Sequence, residues 1–293
     1  MMRKLYDRGE GRLKDMDEAG IDMQVLFIGT LSQDEVRASE KLDASDATAI
    51  AKTINDGLSE VVKKYPKRFT GLAALPMGNP SQAADELERA VKELGLKGGE
   101  ICSNVRGEYL DDEKFGVVFE RAEKLGVPIY IHPRQPSLAI RKPFTDYPGM
   151  HGSMFGFAID ASLNALRMIY GGVFDKYPGL KIVLGHMGEA LPFWMWRIDN
   201  RLHRETVPRF GKKIKKNPSD YIKENIFITT SGMFFIPALL CAYLALGADR
   251  ILFAVDYPME SNKVAVEFME KAPICDSDKE KIYHLNAEKL LGL

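Results

Sequence analysis

Short apolar segments alternate with longer amphipathic segments along most of this chain. The apolar segments are almost continuously hydrophobic, which is typical of strands buried on both faces of a parallel sheet. They are Gln24–Thr30, Phe69–Pro76, Lys97–Cys102, Pro128–His132, Lys181–His186, Ile226–Thr230 and Ile251–Asp256. Apolar residues recur at helical spacing in Ala47–Tyr65, Ala83–Leu94, Phe115–Leu125, Ala161–Phe174 and Lys263–Glu270. The alternation predicts an α/β fold built from strand–helix units with right-handed crossovers.

The number of apolar segments is one fewer than the number of strands in a closed (β/α)8 barrel. A chain of 293 residues suits a single (β/α)8 TIM-like barrel domain, here residues 1–293, and such a barrel needs eight strands. Only seven apolar segments are present, and Met1–Asp22 has the pattern of a helix that ends near Gly20. We therefore expect the first strand to be absent. The irregular stretch at about residues 134–154 predicts an insertion after a strand, where barrels of this kind build their substrate site.

Composition excludes several other classes of protein. Lys plus Arg number 40 and Asp plus Glu number 41, a balance that argues against nucleic acid as the main partner. No stretch approaches the length of a membrane-spanning apolar helix, and the N-terminal segment has no apolar signal region. Cys102, Cys241 and Cys275 form no CxxC motif, so we expect a cytoplasmic protein without disulfides.

Three ionisable residues stand where predicted strands end. His132, His186 and Asp256 each close an apolar segment and are followed by a strand-breaking sequence. The carboxyl ends of parallel strands form the catalytic face of a barrel, so these side chains are candidates for one site. Imidazole and carboxylate suit a divalent ion such as Zn²⁺ or Mn²⁺, and either histidine could instead serve as a general acid or base. The alternative for each residue is a hydrogen-bonded strand cap.

Other candidates lie near these strand ends. Glu189, three residues after His186, could orient the imidazole, or it could be a surface carboxylate at the start of a helix. Arg197 could bind a substrate carboxylate, or it could pair with Asp199. His151, within the insertion, is a candidate to line the pocket, with an ordinary loop histidine as the alternative.

An aromatic segment follows Glu189 directly. Phe193, Trp194, Met195 and Trp196 are together too apolar for a free surface. They predict either a core segment or a subunit contact, and we expect a homodimer or homotetramer.

The strand-end motifs resemble a known family. RLKDMDEAGIDMQVL, IYIHPRQP, FDKYPGLKIVLGHMGEALPFWMWRID, ENIFITTSGMF and GADRILFAVDYPME are similar to segments of the metal-dependent amidohydrolase-related (amidohydrolase 2) family. The similarity is greatest to its branch of γ-resorcylate, 5-carboxyvanillate and aminocarboxymuconate-semialdehyde decarboxylases. It extends from about Arg12 to Leu291, and the GHMGE…WRID block is specific for this branch.

The resemblance implies a distorted (β/α)8 barrel and a metal-dependent, non-oxidative decarboxylation of a hydroxylated aromatic or related unsaturated carboxylic acid. His132 would be a metal ligand, and Asp256 a ligand that also handles protons. His186 would be the catalytic acid or base, oriented by Glu189, and Arg197 would face the substrate. A metal-dependent hydrolase or hydratase of the same superfamily is the alternative function.

The sequence departs from the family at two places. Members begin with a strand that carries an ExH or HxH pair completing the metal site, and this sequence has no such pair ahead of Gln24. A late start, a strand supplied from elsewhere, and a relative without the usual metal are the three explanations, and we expect the first. The metal would then bind weakly or not at all, and a truncated form with little activity, or a binding barrel, remains a further alternative. Tyr257 also follows Asp256 where relatives often have Trp.

Overall fold

The computed structural model describes residues 2–27, 44–204 and 214–293. The strands are β1 (Gln24–Leu26), β2 (Phe69–Gly71), β3 (Ala73–Ala74), β4 (Gly99–Cys102), β5 (Asn104–Val105), β6 (Glu108–Tyr109), β7 (Ile129–His132), β8 (Ile182–Leu184), β9 (Ile226–Thr229) and β10 (Ile251–Leu252). The hairpin of β5 and β6 is too short to leave a pattern in the sequence.

Helices connect these strands. The α-helices are α1 (Met2–Tyr6), α2 (Glu10–Asp17), α3 (Ala44–Lys64), α4 (Pro80–Lys92), α5 (Gly116–Leu125), α6 (Leu138–Arg141), α7 (Gly156–Tyr170), α8 (Val173–Lys176), α9 (Leu191–Arg204), α10 (Pro218–Asn225), α11 (Ile236–Leu246), α12 (Asn262–Glu270), α13 (Asp276–Glu280) and α14 (Asn286–Leu291). Single 3₁₀ turns cover Glu113–Phe115, Lys142–Phe144, Pro148–His151 and Ala248–Arg250, and a π turn covers Lys281–Leu285. The stretch predicted as an insertion thus holds α6 and two of the 3₁₀ turns. Within the described parts of the chain, no helix has the length and hydrophobicity needed to cross a bilayer.

Eight of these strands form two parallel sheets, and the order within each sheet follows the chain. β1 pairs with β2, and β3, β4, β7, β8, β9 and β10 pair in that sequence, with every pairing parallel. Leu72 alone separates β2 from β3, so the two form one bent path across the barrel wall. The predicted parallel α/β barrel strands are confirmed. Their ends were partly wrong, because His186 and Asp256 follow β8 and β10 rather than close them.

Side chains alternate between an inner and an outer layer. Ile129, Ile131 and Ile182 belong to the cluster between the sheet and the helices, whereas Tyr130 and Val183 belong to a separate inner cluster. This period of two residues is the geometry of a strand with both faces covered. It explains why each strand is an almost unbroken apolar run in the sequence.

β1 and β10 are the two edges of the wall. Among the described residues no strand lies between them, and a cavity of about 1290 Å³ occupies this gap and the barrel interior. The cavity reaches from the strand ends at His132 to Lys67 and Leu290 at the opposite end of the barrel. On the β10 side, the Phe253 N–H donates to the Ile282 carbonyl at 2.7 Å, which covers part of that edge. Residues 28–30 of the first predicted strand lie outside the described residues.

Candidate active site

The strand ends of β7, β8 and β10 converge on one space. His132, His186 and Asp256 all line the large cavity, at the end of the barrel where the parallel strands finish. His132 is the last residue of β7, His186 lies two residues beyond β8, and Asp256 lies four residues beyond β10. The sequence therefore identified three side chains that share a cavity at the catalytic face of the barrel.

His186 is held between two carboxylates. Its Nδ1 lies 2.7 Å from Glu189 Oε1, and its Nε2 lies 3.9 Å from Asp256 Oδ2. Burial by itself would lower the pKa of His186, but the interactions with Asp256 and Glu189 outweigh it and raise the pKa to about 10. The protonated form of the imidazole is therefore stabilised. Its Nε2 is directed towards Asp256 and the cavity that both residues line.

His132 has the opposite electrostatic character. Burial, and then the positive charge of His186, lower the pKa of His132 to about 4. The ring is therefore neutral near pH 7, which is the form that binds metal ions. The two histidines of this cavity thus have pKa values shifted in opposite directions, a difference that spacing in the sequence could not reveal.

A tightly wound backbone presents His186. Residues 186–190 all have positive φ, with His186 at 48°, Met187 at 59°, Gly188 at 74°, Glu189 at 51° and Ala190 at 62°. Only one of these residues is glycine, so the segment is costly for the chain and must be fixed by its surroundings.

Glycine is required beside this turn. A Cβ on Gly232 would lie 3.2 Å from His186 Cδ2 and 3.5 Å from Asp256 Oδ2, and Gly232 itself has a φ of 62°. Gly232 thus allows the backbone after β9 to pack directly against the imidazole and the carboxylate.

Comparison with known proteins shows which family has this architecture. The amidohydrolase family model matches residues 1–293, the full length of the chain. The chain belongs to the amidohydrolase family. The resemblance seen in the sequence, including its decarboxylase branch, is confirmed by the relatives that this amidohydrolase matches.

Three of these relatives define the branch. The chain is 40% identical over 297 residues to γ-resorcylate decarboxylase from Polaromonas sp. (strain JS666), covering 99% of this chain and 89% of that protein. It is 39% identical to 5-carboxyvanillate decarboxylase from Sphingomonas paucimobilis, with a TM-score of 0.92 and coverage of 100% and 85%. It is 38% identical to the dihydroxybenzoic acid decarboxylase of Polaromonas sp. JS666 solved with manganese and 2-nitroresorcinol, with a TM-score of 0.90 and coverage of 99% and 88%.

The metal-binding capacity of this amidohydrolase is incomplete in the described residues. His132 and Asp256 offer an imidazole nitrogen and a carboxylate at one cavity, which are suitable ligand types. Within residues 2–27, 44–204 and 214–293, however, no group of three or more His, Cys, Asp or Glu side chains could hold a metal ion. The described residues therefore do not fit a complete metal site.

Arg197 lies away from the cavity. It is exposed on α9, beside Trp196, and is not among the residues that line the cavity. No ion pair joins Arg197 to Asp199, two residues that the structure describes; the Asp199 carboxylate instead accepts from the Ser219 N–H at 3.1 Å. The aromatic segment divides between core and surface: Met195 is buried, whereas Trp196 is 73% exposed.

His151 also lies apart from the three strand-end residues. It ends the 3₁₀ turn Pro148–His151, is half-buried, and does not line the large cavity. Its Nδ1 is buried without a hydrogen-bond partner among the described residues.

Sequence reasoning missed polar groups in the barrel interior. Glu100 is the partner of Tyr130 in the β4–β7 register, so both face inward. Glu100 is 3% exposed, its Oε1 has no partner among the described residues, and burial raises its pKa to about 8. Tyr130, Thr229 and Ser231 line the cavity with hydroxyl groups. The sequence did contain a clue, because side chains alternate between the two faces of a strand. Glu100 in GGEIC and Tyr130 in PIYIH are polar residues at positions that face the barrel interior.

Proposed function

We propose that this protein is a non-oxidative decarboxylase of a hydroxylated aromatic carboxylic acid. The observation that carries the proposal is the placement of His186 at the cavity, with Nδ1 2.7 Å from Glu189 Oε1 and Nε2 3.9 Å from Asp256 Oδ2. Relatives at 37–40% identity over the whole chain are γ-resorcylate decarboxylases, which supports the same class of substrate. The cavity is more than large enough for a single-ring acid.

The arrangement supplies the proton that decarboxylation requires. In the proposed reaction, His186 donates its Nε2 proton to the ring carbon that bears the carboxylate. The carbon–carbon bond then breaks, its electron pair restores the aromatic ring, and CO₂ leaves. Glu189 holds the imidazole through Nδ1. After CO₂ has left, the neutral imidazole takes a proton from water in the cavity, and the Asp256 carboxylate, 3.9 Å from Nε2, stabilises the cation that is restored.

We propose that a divalent cation, manganese or zinc, binds weakly through His132 and Asp256. The neutral His132 imidazole supports this assignment, as does the manganese in the dihydroxybenzoic acid decarboxylase structure. We assign no step to the ion, because the described residues supply only two ligands. Metal analysis of the purified protein, followed by titration with Mn²⁺, measures the affinity.

We also propose that the chain forms one barrel domain that assembles as a homodimer or homotetramer in the cytoplasm. Phe193, Trp194 and Trp196 are 70%, 48% and 73% exposed on α9, an apolar surface that a second copy would cover. Arg197 lies on the same helix, so its proposed contact with substrate requires this face to lie against another copy's site. The absence of disulfides among the three cysteines supports a reducing compartment.

The decisive assay measures CO₂ released from a panel of hydroxybenzoates, with and without Mn²⁺. The same reaction in D₂O should place deuterium on the ring carbon that lost the carboxylate. Lactone hydrolysis without CO₂ release would instead indicate the hydrolase alternative. Failure to turn over either class, with or without metal, would contradict an enzymatic role for this chain.

A further inference from the structure

The turn that carries His186 rests on a set of buried hydroxyl groups, here named the hydroxyl bridge and formed by Tyr130, Thr229 and Ser231. Thr229 Oγ1 lies 2.7 Å from Ser231 Oγ, and both hydroxyls lie near enough to the Tyr130 hydroxyl to oppose the rise of its pKa on burial. The three residues are 8%, 3% and 5% exposed. They therefore link β7 to the end of β9 across the strand between them, β8.

The hydroxyl bridge contacts the His186 backbone directly. The His186 N–H donates to Ser231 Oγ at 3.3 Å. The bridge also presses against the preceding residue, since a Cβ on Gly185 would lie 2.9 Å from the Tyr130 hydroxyl and 3.4 Å from Ser231 Oγ. The backbone at the start of the left-handed turn is thus fixed by one hydrogen bond and by close packing on two hydroxyl oxygens.

Purely apolar side chains would cost less free energy than hydroxyl groups in this inner cluster. Tyr130 packs with Leu72, Val183, Phe227 and Leu252 in the inner cluster, where a buried hydroxyl costs free energy unless it is fully bonded. The bonded hydroxyls of Thr229 and Ser231, with the Tyr130 hydroxyl beside them, restrict the surrounding backbone through directional hydrogen bonds that methyl groups cannot make. The strained turn needs such support, because four residues other than glycine hold positive φ in succession around Gly188.

We propose that Tyr130, Thr229 and Ser231 are positioning residues that hold the His186 turn in its left-handed conformation, so that Nδ1 meets Glu189 while Nε2 faces the cavity. The hydroxyl bridge acts through the backbone of His186 and takes no proton in the reaction. This inference rests on the proposed function for its kinetic test, but its structural test is independent of activity.

The structural test is hydrogen exchange measured by mass spectrometry on the folded protein. In Ser231→Ala we expect the peptide spanning residues 185–191 to exchange about tenfold faster, because one hydrogen bond of the turn is lost. Ser59→Ala is the matched control: Ser59 is also buried, and its hydroxyl donates to the Leu94 carbonyl at 2.9 Å, far from the turn. Unchanged exchange at residues 185–191 in Ser231→Ala would overturn the proposal.

The kinetic test compares kcat with KM. A misplaced proton donor lowers kcat by about 10- to 100-fold with little change in KM. We expect this in Ser231→Ala and Tyr130→Phe, and partial recovery in Ser231→Thr, which keeps the hydroxyl. Tyr221→Phe, which removes a buried hydroxyl that donates to Asp175 at 2.6 Å, should keep wild-type kcat.

The outcomes separate the two proposals. An inactive wild-type protein whose turn is loosened by Ser231→Ala would refute the decarboxylase and leave the hydroxyl bridge intact. An active wild-type protein with unchanged kcat in Ser231→Ala and Tyr130→Phe would refute the hydroxyl bridge alone. If Ser231→Ala does not fold, Thr229→Val provides the same comparison from the next hydroxyl of the bridge.

Discussion

Glu100 makes the stability of the protein depend on pH in a way that one substitution removes. The side chain is 3% exposed, and burial raises its pKa from 4.5 to about 8. Between these values the folded protein keeps the proton and the unfolded chain releases it, so stability falls as pH rises. At 1.36 kcal/mol for each pKa unit, the fall amounts to about 3 kcal/mol at pH 7 and about 4 kcal/mol at pH 8, where half of the folded molecules have released the proton.

Glu100→Gln keeps the shape of the side chain and removes its titration. We expect the variant and the wild type to have similar unfolding free energies near pH 4.5, and the variant to be about 3 kcal/mol more stable at pH 7. Urea unfolding followed by circular dichroism at several pH values between 4.5 and 8 measures this difference, in which the titrations of all other groups cancel. A difference that stays constant with pH would refute the reasoning.

A matched control compares Glu100 with a buried carboxylate whose two oxygens both accept hydrogen bonds. Glu86 is 1% exposed, but its carboxylate accepts from Arg89 Nε and from Asn55 Nδ2, each at 2.8 Å. Glu86→Gln removes the charge from this pair and leaves Arg89 without its buried partner, so we expect this variant to be less stable than wild type at pH 7. If Glu100→Gln raises the free energy of unfolding at pH 7 and Glu86→Gln lowers it, hydrogen bonding as well as burial determines whether a buried carboxylate stabilises this protein.

Three further predictions concern the site and the assembly. His186→Asn should lower turnover by about 10²- to 10⁴-fold and keep Mn²⁺ binding, whereas Asp256→Asn should lose both. Loss of the metal in His186→Asn together with its retention in His132→Asn would reverse the roles assigned to the two histidines. Gly232→Ala should lower kcat about tenfold and cost roughly 1–2 kcal/mol of unfolding free energy, since the new Cβ would lie 3.2 Å from His186 Cδ2 at a positive φ; wild-type kinetics would contradict the close packing. Trp196→Glu should reduce the molar mass in light scattering, and an unchanged mass would place the subunit contact elsewhere.

The sequence predicted the wall of the barrel because its strands are buried on both faces. Ile129–His132 and Ile226–Thr229 are nearly continuous apolar runs, so their positions needed no long-range information. The same logic placed His132, His186 and Asp256 at one end, since parallel strands finish on a common face. The ends of the strands were less predictable, because Asp256 lies beyond β10 on backbone with a φ of 78°, which only tertiary contacts can impose.

What the sequence could not supply was the relation between elements. Arg197 follows Glu189 closely along the chain, yet the helical direction of α9 carries it to the exposed side. Tyr130 and Ser231 are 101 positions apart in numbering, and only the β7–β8–β9 order brings their hydroxyls together. Electrostatic character likewise depended on burial: His132 and His186 look alike in the sequence and have pKa values shifted in opposite directions.

The gap between β1 and β10 has a calorimetric consequence. Barrels of this type are normally filled by side chains, but among the described residues the cavity extends to the exposed residues Lys67 and His284, so water reaches the partly buried inner side chains of Val25, Phe27 and Leu290 in the native state. Unfolding then exposes less additional apolar surface to water than is usual for a chain of this length. The heat-capacity increment should therefore fall below the usual ~12–15 cal/mol/K per residue, and an apolar dye should fluoresce with the native protein and lose its signal on melting.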